Sequence, residues 1–187
     1  MDSTIFIPNL SPREVIEAGT FGGSYFGIAI DESEDDYTDL FESLFKGVDT
    51  RLYLGVKYSP KLNRFGVRSG MNYRYWKDMK WMRSQDPRGW FAWYCNYYLG
   101  RRSSDDERQI ARWDDFCGVK GRWRNNIYSK IHHTGDWGIS PRIQQSLLHW
   151  GYKVNEEDYQ LWLVTNTRTV SPYKVVHKSF RIHSTIL

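Results

Sequence analysis

The longest apolar stretch of the chain lies in its middle, at residues 90–99, within the segment DPRGWFAWYCNYYLG. Asn96 is the one polar side chain in this stretch, and a helix that is apolar on every side is a buried helix. Ten residues are too few to cross a bilayer, which takes roughly 20. Asp86 suits the N-cap, Pro87 the first turn and Gly100 a left-handed C-terminal end. The pattern predicts a central core helix.

Glycines at similar spacing follow three further segments with helical periodicity, at Gly118, Gly135 and Gly151. Ser104 and Glu107 are spaced as a capping box at the start of the first of these segments. Together with the central helix, the pattern predicts four consecutive helices. Their predicted inward positions are Ile110, Trp113, Trp123, Ile127, Ile131, Ile143, Leu147, Leu148 and Trp150.

The N-terminal part of the chain has a different pattern. Residues 51–58 and 64–68 alternate between apolar and polar side chains, which predicts two strands joined by a hairpin, and residues 4–7 suggest a further short strand. The predicted fold class is therefore α+β, a mainly helical unit with a small N-terminal β portion. We predict a single domain over 1–187, divided into an acidic β-containing portion (1–85), a helical unit (86–164) and a basic C-terminal arm or edge strand (165–187).

Charge is divided unevenly along the chain. Residues 1–49 contain eleven acidic and two basic residues, a net charge of −9, and the remainder contains 24 basic and eleven acidic residues, a net charge of +13. The acids concentrate at 31–39. Such a division suggests a basic surface for a polyanion, an acidic segment that covers it, or both.

Two cysteines, Cys95 and Cys117, are too few for a disulfide framework, so we expect free thiols in a reducing compartment. The N-terminus has no basic region followed by an apolar run, and we predict no signal peptide and no membrane segment. The expected location is intracellular, in the cytoplasm or nucleus.

Four segments of the chain carry a resemblance to a known family. They read TFGGSYF, DPRGWFAWYCNYYLGRRSSDDERQIARWDDF, GRWRNNIYSKI and ISPRIQQSLLHWGY, and they span residues 19–152. They resemble a family of conserved hypothetical proteins from fungi, plants, algae and large DNA viruses, which has no established activity. The resemblance implies a shared fold and transfers no catalytic residue.

Enzymatic chemistry has little support in the sequence. There is no GxSxG, HExxH or CxxC pattern, and the neighbours His132 and His133 point about 100° apart on a helix. We predict no metal and no cofactor. A metal-dependent nuclease or other hydrolase remains an alternative because acids cluster near the helical segments. These acids are Asp105, Asp106, Glu107, Asp114 and Asp115.

Bases interleave with aromatic residues in two regions, 71–85 and 101–130. The second region has the order helix, glycine-containing turn, helix, which is compatible with a helix-turn-helix. The favoured function is a non-enzymatic, intracellular module that binds nucleic acid through this basic, aromatic-rich helical surface. A protein–protein interaction or assembly module is the main alternative. The predicted nucleic-acid-binding residues are Arg101, Arg102, Arg122, Arg124, Asn125, Asn126 and Lys130.

Overall fold

The computed structural model describes residues 6–27, 37–71, 73–80 and 83–166, and α-helices form its framework. Two short 3₁₀ helices, Thr50–Leu52 and Pro60–Leu62, lie between the second and third α-helix. The α-helices are α1 (Pro12–Glu17), α2 (Thr38–Leu44), α3 (Tyr73–Asp78), α4 (Trp90–Tyr98), α5 (Asp106–Cys117), α6 (Arg122–Thr134), α7 (Pro141–Leu148) and α8 (Glu156–Asn166).

Helix α4 lies at the centre of the core, as its apolar sequence predicts. Trp93 and Cys95 have no exposed surface, and Phe91 is 2% exposed. α4 packs against α1 and α2. The ring of Phe6 adds a cluster of aromatic contacts on Trp93 and Trp113, with ring centroids 5.5 and 5.2 Å apart respectively. The predicted core helix is confirmed.

Helices α5 to α8 form a continuous series of contacts. α6 packs against α5, α7 and α8. The apolar stripe of α6 is buried, since Ile127 is 0% exposed and Ile131 is 2% exposed. Glycines follow the helices as predicted. Gly100 has a φ of +99°, and the amides of Gly100 and Arg101 donate to the carbonyls of Tyr97 and Asn96, a Schellman ending of α4.

The predicted β portion is wrong. The described residues contain no strand or sheet, and the fold class is mainly helical instead of α+β. The segment at 51–58 begins in the first 3₁₀ helix and continues as turns, and 64–68 also forms turns. The alternation does not produce strands here. Val56, which belongs to the alternating pattern, is 82% exposed, and three amides of the 50–64 segment donate to another loop.

That other loop is the glycine-rich segment 19–27. The amides of Gly55, Ser59 and Arg64 donate to the carbonyls of Gly23, Gly22 and Gly19 at 2.7, 2.8 and 2.8 Å. These isolated bonds take the place of a ladder. Gly19 has a φ of +71°, and a Cβ there would lie 2.3 Å from the Leu62 carbonyl oxygen. The close approach of two backbones therefore explains the glycines of TFGGSYF.

Two predicted helix starts are displaced. α4 begins at Trp90 after Gly89, one turn later than Asp86 and Pro87 suggest, because Asp86 is buried and pairs with Arg101. At α5 the side chain that bonds the first turn is Ser103 instead of Ser104. Ser103 Oγ donates to Asp106 Oδ1 at 2.7 Å, and the Ser103 amide donates to Asp106 Oδ2 at 2.9 Å.

Three predictions fall wholly or mostly outside the described residues. These are the strand at 4–7, the acidic segment 31–39 and the C-terminal arm at 165–187. α8 continues to Asn166, slightly beyond the predicted end of the helical unit. Among the helices of the described ranges, none combines the length and the apolar character of a membrane span.

Candidate functional site

A groove of about 710 Å³ opens between α5, the start of α6 and the segment that follows α3. We call it the basic groove. Among the described residues, its lining contains five cationic side chains and a single carboxylate, Asp115. The cationic side chains are Lys80, Arg83, Arg108, Arg112 and Arg122, and the aromatic ones are Phe116 and Trp150.

Helical spacing on α5 creates one wall of the basic groove. Arg108, Arg112 and Phe116 are separated by four residues each, so they share one face of the helix. Trp113 lies on the buried face, where it is 3% exposed, and its Nε1 donates to the Trp150 carbonyl at 2.9 Å. That bond holds the end of α7 against α5 and sets Trp150 beside Phe116.

Among the described residues, one of the five cations of the basic groove has a carboxylate partner. Arg108 pairs with Asp105, with its Nη2 2.7 Å from Oδ2, and the hydrogen bond from Arg108 lowers the pKa of Asp105. Within the part of the chain that the structure describes, no carboxylate lies within ion-pair distance of Lys80, Arg83, Arg112 or Arg122.

Arg112 is the most constrained of these cations. Burial lowers the pKa of its guanidinium, and the charge of Arg108 lowers it further. Its Nη1 donates to Gln109 Oε1 at 2.9 Å, a neutral partner. An anion bound in the basic groove would supply the negative charge that Arg112 lacks.

The floor of the basic groove is aromatic. Phe116 and Trp150 are stacked, with ring centroids 5.0 Å apart and an angle of 23° between the rings, and both rings are partly exposed. The Arg112 guanidinium carbon lies 5.4 Å from the Trp150 centroid, and that of Arg122 lies 5.8 Å from the Phe116 centroid. Cations and flat rings thus alternate along one concave surface.

Two smaller cavities adjoin the basic groove at Phe116. One, of about 300 Å³, extends between Trp123, Arg142 and Ile143. The other, of about 230 Å³, has mostly aromatic walls and shares Arg112, Phe116 and Trp150 with the basic groove. We call the second one the aromatic cavity.

Of the seven predicted binding residues, Arg122 is the one that lines the basic groove. Arg124 is 8% exposed, and its Nη2 lies 2.8 Å from Asp158 Oδ1 on α8, so it is not the solvated base that the sequence suggested. Asn125 donates to the carbonyls of Val119 and Gly121 and accepts from Trp162 Nε1 at 2.9 Å.

Helix α8 covers part of the face of α6 that a recognition helix would present, at Asn125. Trp162 lies against both Tyr128 and His132, with ring centroids 6.4 and 5.9 Å apart, in addition to its bond with Asn125. Asn126 is exposed. The geometry at α6 therefore differs from that of a helix-turn-helix, whose second helix enters the major groove.

The remaining predicted residues have partners within the protein. Arg101 Nη2 lies 2.7 and 2.6 Å from the two carboxylate oxygens of Asp86. Arg102 stacks on Tyr97, 3.8 Å from the ring centroid, and donates to two carbonyls at the end of α4. Lys130 Nζ donates to Ser140 Oγ at 3.0 Å.

The sequence pattern indicates some of the cations of the basic groove, but it does not indicate which side chains share the groove with them. Lys80 and Arg83 belong to the predicted interleaved region at 71–85. Arg108 and Arg112 were counted among the bases, but their four-residue spacing toward Phe116 was the signal that places them on one face. Trp150 was assigned to the core, because nothing local indicates that it closes the floor of a groove.

Two of the side chains considered for catalysis make structural contacts, Asp106 and His133. Asp106 accepts from Trp93 Nε1 at 2.8 Å, which joins α5 to α4. His133 Nδ1 lies 2.6 Å from the Ser129 carbonyl oxygen on its own helix. Among the described residues, no group of three or more histidine, cysteine, aspartate or glutamate side chains is arranged to hold a metal ion.

Comparison of the chain with protein-family models, with curated proteins and with solved structures finds no match. The family resemblance of the four segments therefore stays a prediction, and the functional argument depends on the geometry of this chain.

Proposed function

We propose that this protein binds single-stranded nucleic acid in the basic groove. The observation that carries the proposal is a set of four cations around a stacked aromatic floor, none of which pairs with a carboxylate of the described residues. Proteins that bind single strands combine a positively charged groove for the backbone with aromatic side chains on which bases stack. Arginine adds bidentate phosphate contacts and stacking on bases.

The aromatic floor favours a single strand over a duplex. Phe116 and Trp150 offer ring faces, and the face of a base is accessible only when the base is unstacked. A duplex exposes phosphates and base edges, and neither of these stacks on the ring faces of Phe116 and Trp150. In addition, α8 engages Asn125, which was predicted to face a major groove. The proposal therefore keeps the predicted ligand class and assigns it to a different surface.

The proposal includes a non-enzymatic role and an intracellular location. Cys95 and Cys117 are free and buried, which is consistent with a reducing compartment. Among the described residues that line the basic groove, Asp115 is the one carboxylate, and a lone acid does not favour paired-carboxylate chemistry there.

The test compares two double variants that remove the same charge. Lys80→Gln/Arg122→Gln removes two unpaired groove cations, both exposed. The matched control, Lys61→Gln/Arg64→Gln, removes an exposed lysine and an exposed arginine that lies over a ring, as Arg122 does, but outside the basic groove. Fluorescence anisotropy with single strands of about ten nucleotides measures the affinity. A duplex of the same sequence serves as competitor.

We expect the groove variant to bind single strands at least about tenfold more weakly, because two charge-assisted contacts are lost. The control variant should bind within about twofold of the wild type. Equal losses in both variants would mean that binding depends on net charge, which contradicts a site in the basic groove. Absence of binding by the wild type would make a protein-interaction module the leading function.

A further inference from the structure

The aromatic cavity beside the basic groove has no role in holding a strand's backbone, and its walls are unusually rich in rings. Five aromatic residues surround it in addition to the two shared with the groove floor. They are Phe21, Tyr25, Trp76, Trp90 and Phe91. A cavity of about 230 Å³ is smaller than the roughly 300–1,000 Å³ of pockets for drug-sized ligands, so it suits one small planar ring system.

Most polar groups around the aromatic cavity already have partners. Tyr25 Oη donates to the Arg88 carbonyl at 2.6 Å and accepts from the Ala92 amide at 3.1 Å. Trp90 Nε1 donates to the Gln109 carbonyl at 3.2 Å. Ser146 Oγ lies 2.8 Å from Ser69 Oγ. These groups are not available to a ligand without loss of a bond.

His149 is the exception. Its Nε2 is buried and has no hydrogen-bond partner, and a native structure rarely leaves a buried polar atom in this state. The ring makes a hydrogen bond with the Thr20 backbone. In the tautomer whose proton lies on Nδ1, Nε2 is the acceptor of the ring.

The protonation state of His149 follows from its surroundings. Burial lowers the pKa of its imidazole to about 4, so the ring is neutral at physiological pH. With the proton on Nδ1, Nε2 is a hydrogen-bond acceptor. The ring is also held in place on its other side, since a Cβ on Gly70 would lie 2.9 Å from His149 Cε1. His149 lines the aromatic cavity, and in that tautomer its buried Nε2 would be satisfied by a ligand that brings an N–H donor.

We propose that the aromatic cavity binds one unstacked base of the strand, with an N–H of the base donating to His149 Nε2. The inference rests on the proposed function, since the strand must first lie in the basic groove. Arg112 lines both the basic groove and the aromatic cavity, and it would contact the phosphate beside the bound base. Adenine and cytosine both carry an amino group on the edge that pairs in a duplex. Recognition of a splayed base by aromatic stacking and hydrogen bonds to that edge is a general mode for single strands.

Matched strands test the hydrogen bond without any change to the protein. Oligoadenylate is compared with the same strand made of purine riboside, and oligocytidylate with a strand of pyrimidin-2-one riboside. Each pair keeps the ring and the phosphates and differs only by the amino group. We expect the amino-containing strand of at least one pair to bind about fivefold or more tightly, because its analogue leaves Nε2 unpaired.

The variant His149→Asn provides the second arm. The Asn amide can still donate to the Thr20 carbonyl from the Nδ1 position, while the acceptor at the Nε2 position is removed. The preference for the amino-containing strand should disappear in this variant, and its affinity for the analogue strand should change little. A thermal melt checks that the variant is folded.

The outcomes separate this inference from the proposed function. If strands bind, depend on Lys80 and Arg122, and show no amino preference in either pair, the basic groove is the site and the base-binding cavity is refuted. The same conclusion follows if the preference persists in His149→Asn. If no strand binds, both the inference and the proposed function fail.

Discussion

Asp86 and Arg101 form a buried ion pair whose disruption gives a sharp test of the fold. The Asp86 side chain is 2% exposed, and Arg101 Nη2 contacts both of its carboxylate oxygens. Asn96 Nδ2 lies 3.4 Å from Oδ1. Arg101 was predicted from the sequence to bind nucleic acid. In the structure its guanidinium compensates the buried charge of Asp86.

The variant Arg101→Met keeps much of the side-chain length and removes the charge. Breaking a buried pair from one side costs about 3–5 kcal/mol, because the remaining charge stays buried without a partner. The Arg101 side chain is 31% exposed, so we expect the lower end, about 3 kcal/mol. For a chain of this length, each kcal/mol lowers Tm by about 2–4 °C, which predicts a fall of about 6–12 °C.

The fall in Tm should depend on pH. Burial already raises the pKa of Asp86, and Arg101 opposes that shift. Removing Arg101 therefore raises the pKa of Asp86 further. A carboxyl group whose pKa is higher in the folded than in the unfolded state favours folding when protonated, and this advantage is lost as the pH rises through the folded pKa. The Tm loss should be smaller near about pH 5 than near about pH 8.

Thermal melts followed by circular dichroism provide the assay, with two companion variants. Arg102→Met removes an exposed arginine without orphaning a buried acid and should lower Tm by less than about 3 °C. Asp86→Asn/Arg101→Met removes both charges and should recover part of the loss. A Tm loss for Arg101→Met no larger than that for Arg102→Met, or one that grows toward low pH, would refute the reasoning.

Three further predictions concern the core and its loops. Trp93→Ala should cost about 3–5 kcal/mol by denaturant unfolding, because this side chain is fully buried and also donates a hydrogen bond; an unchanged midpoint would contradict the central position of α4. Burial raises the pKa of the Cys95 and Cys117 thiols, so a thiol reagent should label them only after unfolding, and rapid labelling of native protein would contradict their burial. Gly19→Ala should lower the free energy of unfolding more than Gly135→Ala does. Both positions have a positive φ, which costs an alanine about 1–2 kcal/mol, but only at Gly19 would the new Cβ contact another backbone segment. Equal decreases in the two variants would refute the close approach at Gly19.

Local patterns were sufficient to predict the helices of the second half of the chain. The apolar residues of α4, the stripe through Ile127 and Ile131, and the glycines that follow each helix all act within a few residues. The same locality explains the displaced start of α4. Asp86 and Pro87 satisfy the rules of a helix start, but the ion pair with Arg101, fifteen residues away in sequence, uses the carboxylate instead.

The N-terminal part could not be predicted from periodicity because its structure depends on distant partners. Three amides of the 50–64 segment donate to a loop about 30 to 45 residues earlier in the chain. The Asn63 side chain contributes to the same contact, since its Oδ1 accepts from the Gly22 amide at 2.7 Å. A local pattern of alternating residues contains no information about such long-range hydrogen bonds, so it predicts strands where turns occur.

The candidate site shows the same limit. Charge and aromatic content indicate the bases between residues 101 and 130, but burial decides which of these bases are exposed. Arg124 looks like Arg122 in the sequence, but Asp158 on α8 pairs with it. His149 and Trp150 follow α7, and their positions beside α5 arise only when the helices pack.

The salt dependence of single-strand binding tests the proposal of the basic groove most directly. Each phosphate contact to a single strand contributes a slope of about −0.7 in log K against log salt, so four groove cations predict about −3 for the wild type. Lys80→Gln/Arg122→Gln should reduce the slope to about −1.4, while Lys61→Gln/Arg64→Gln should retain the wild-type slope. A slope that is unchanged in the groove variant, or reduced equally in the control variant, would contradict a nucleic-acid site in the basic groove.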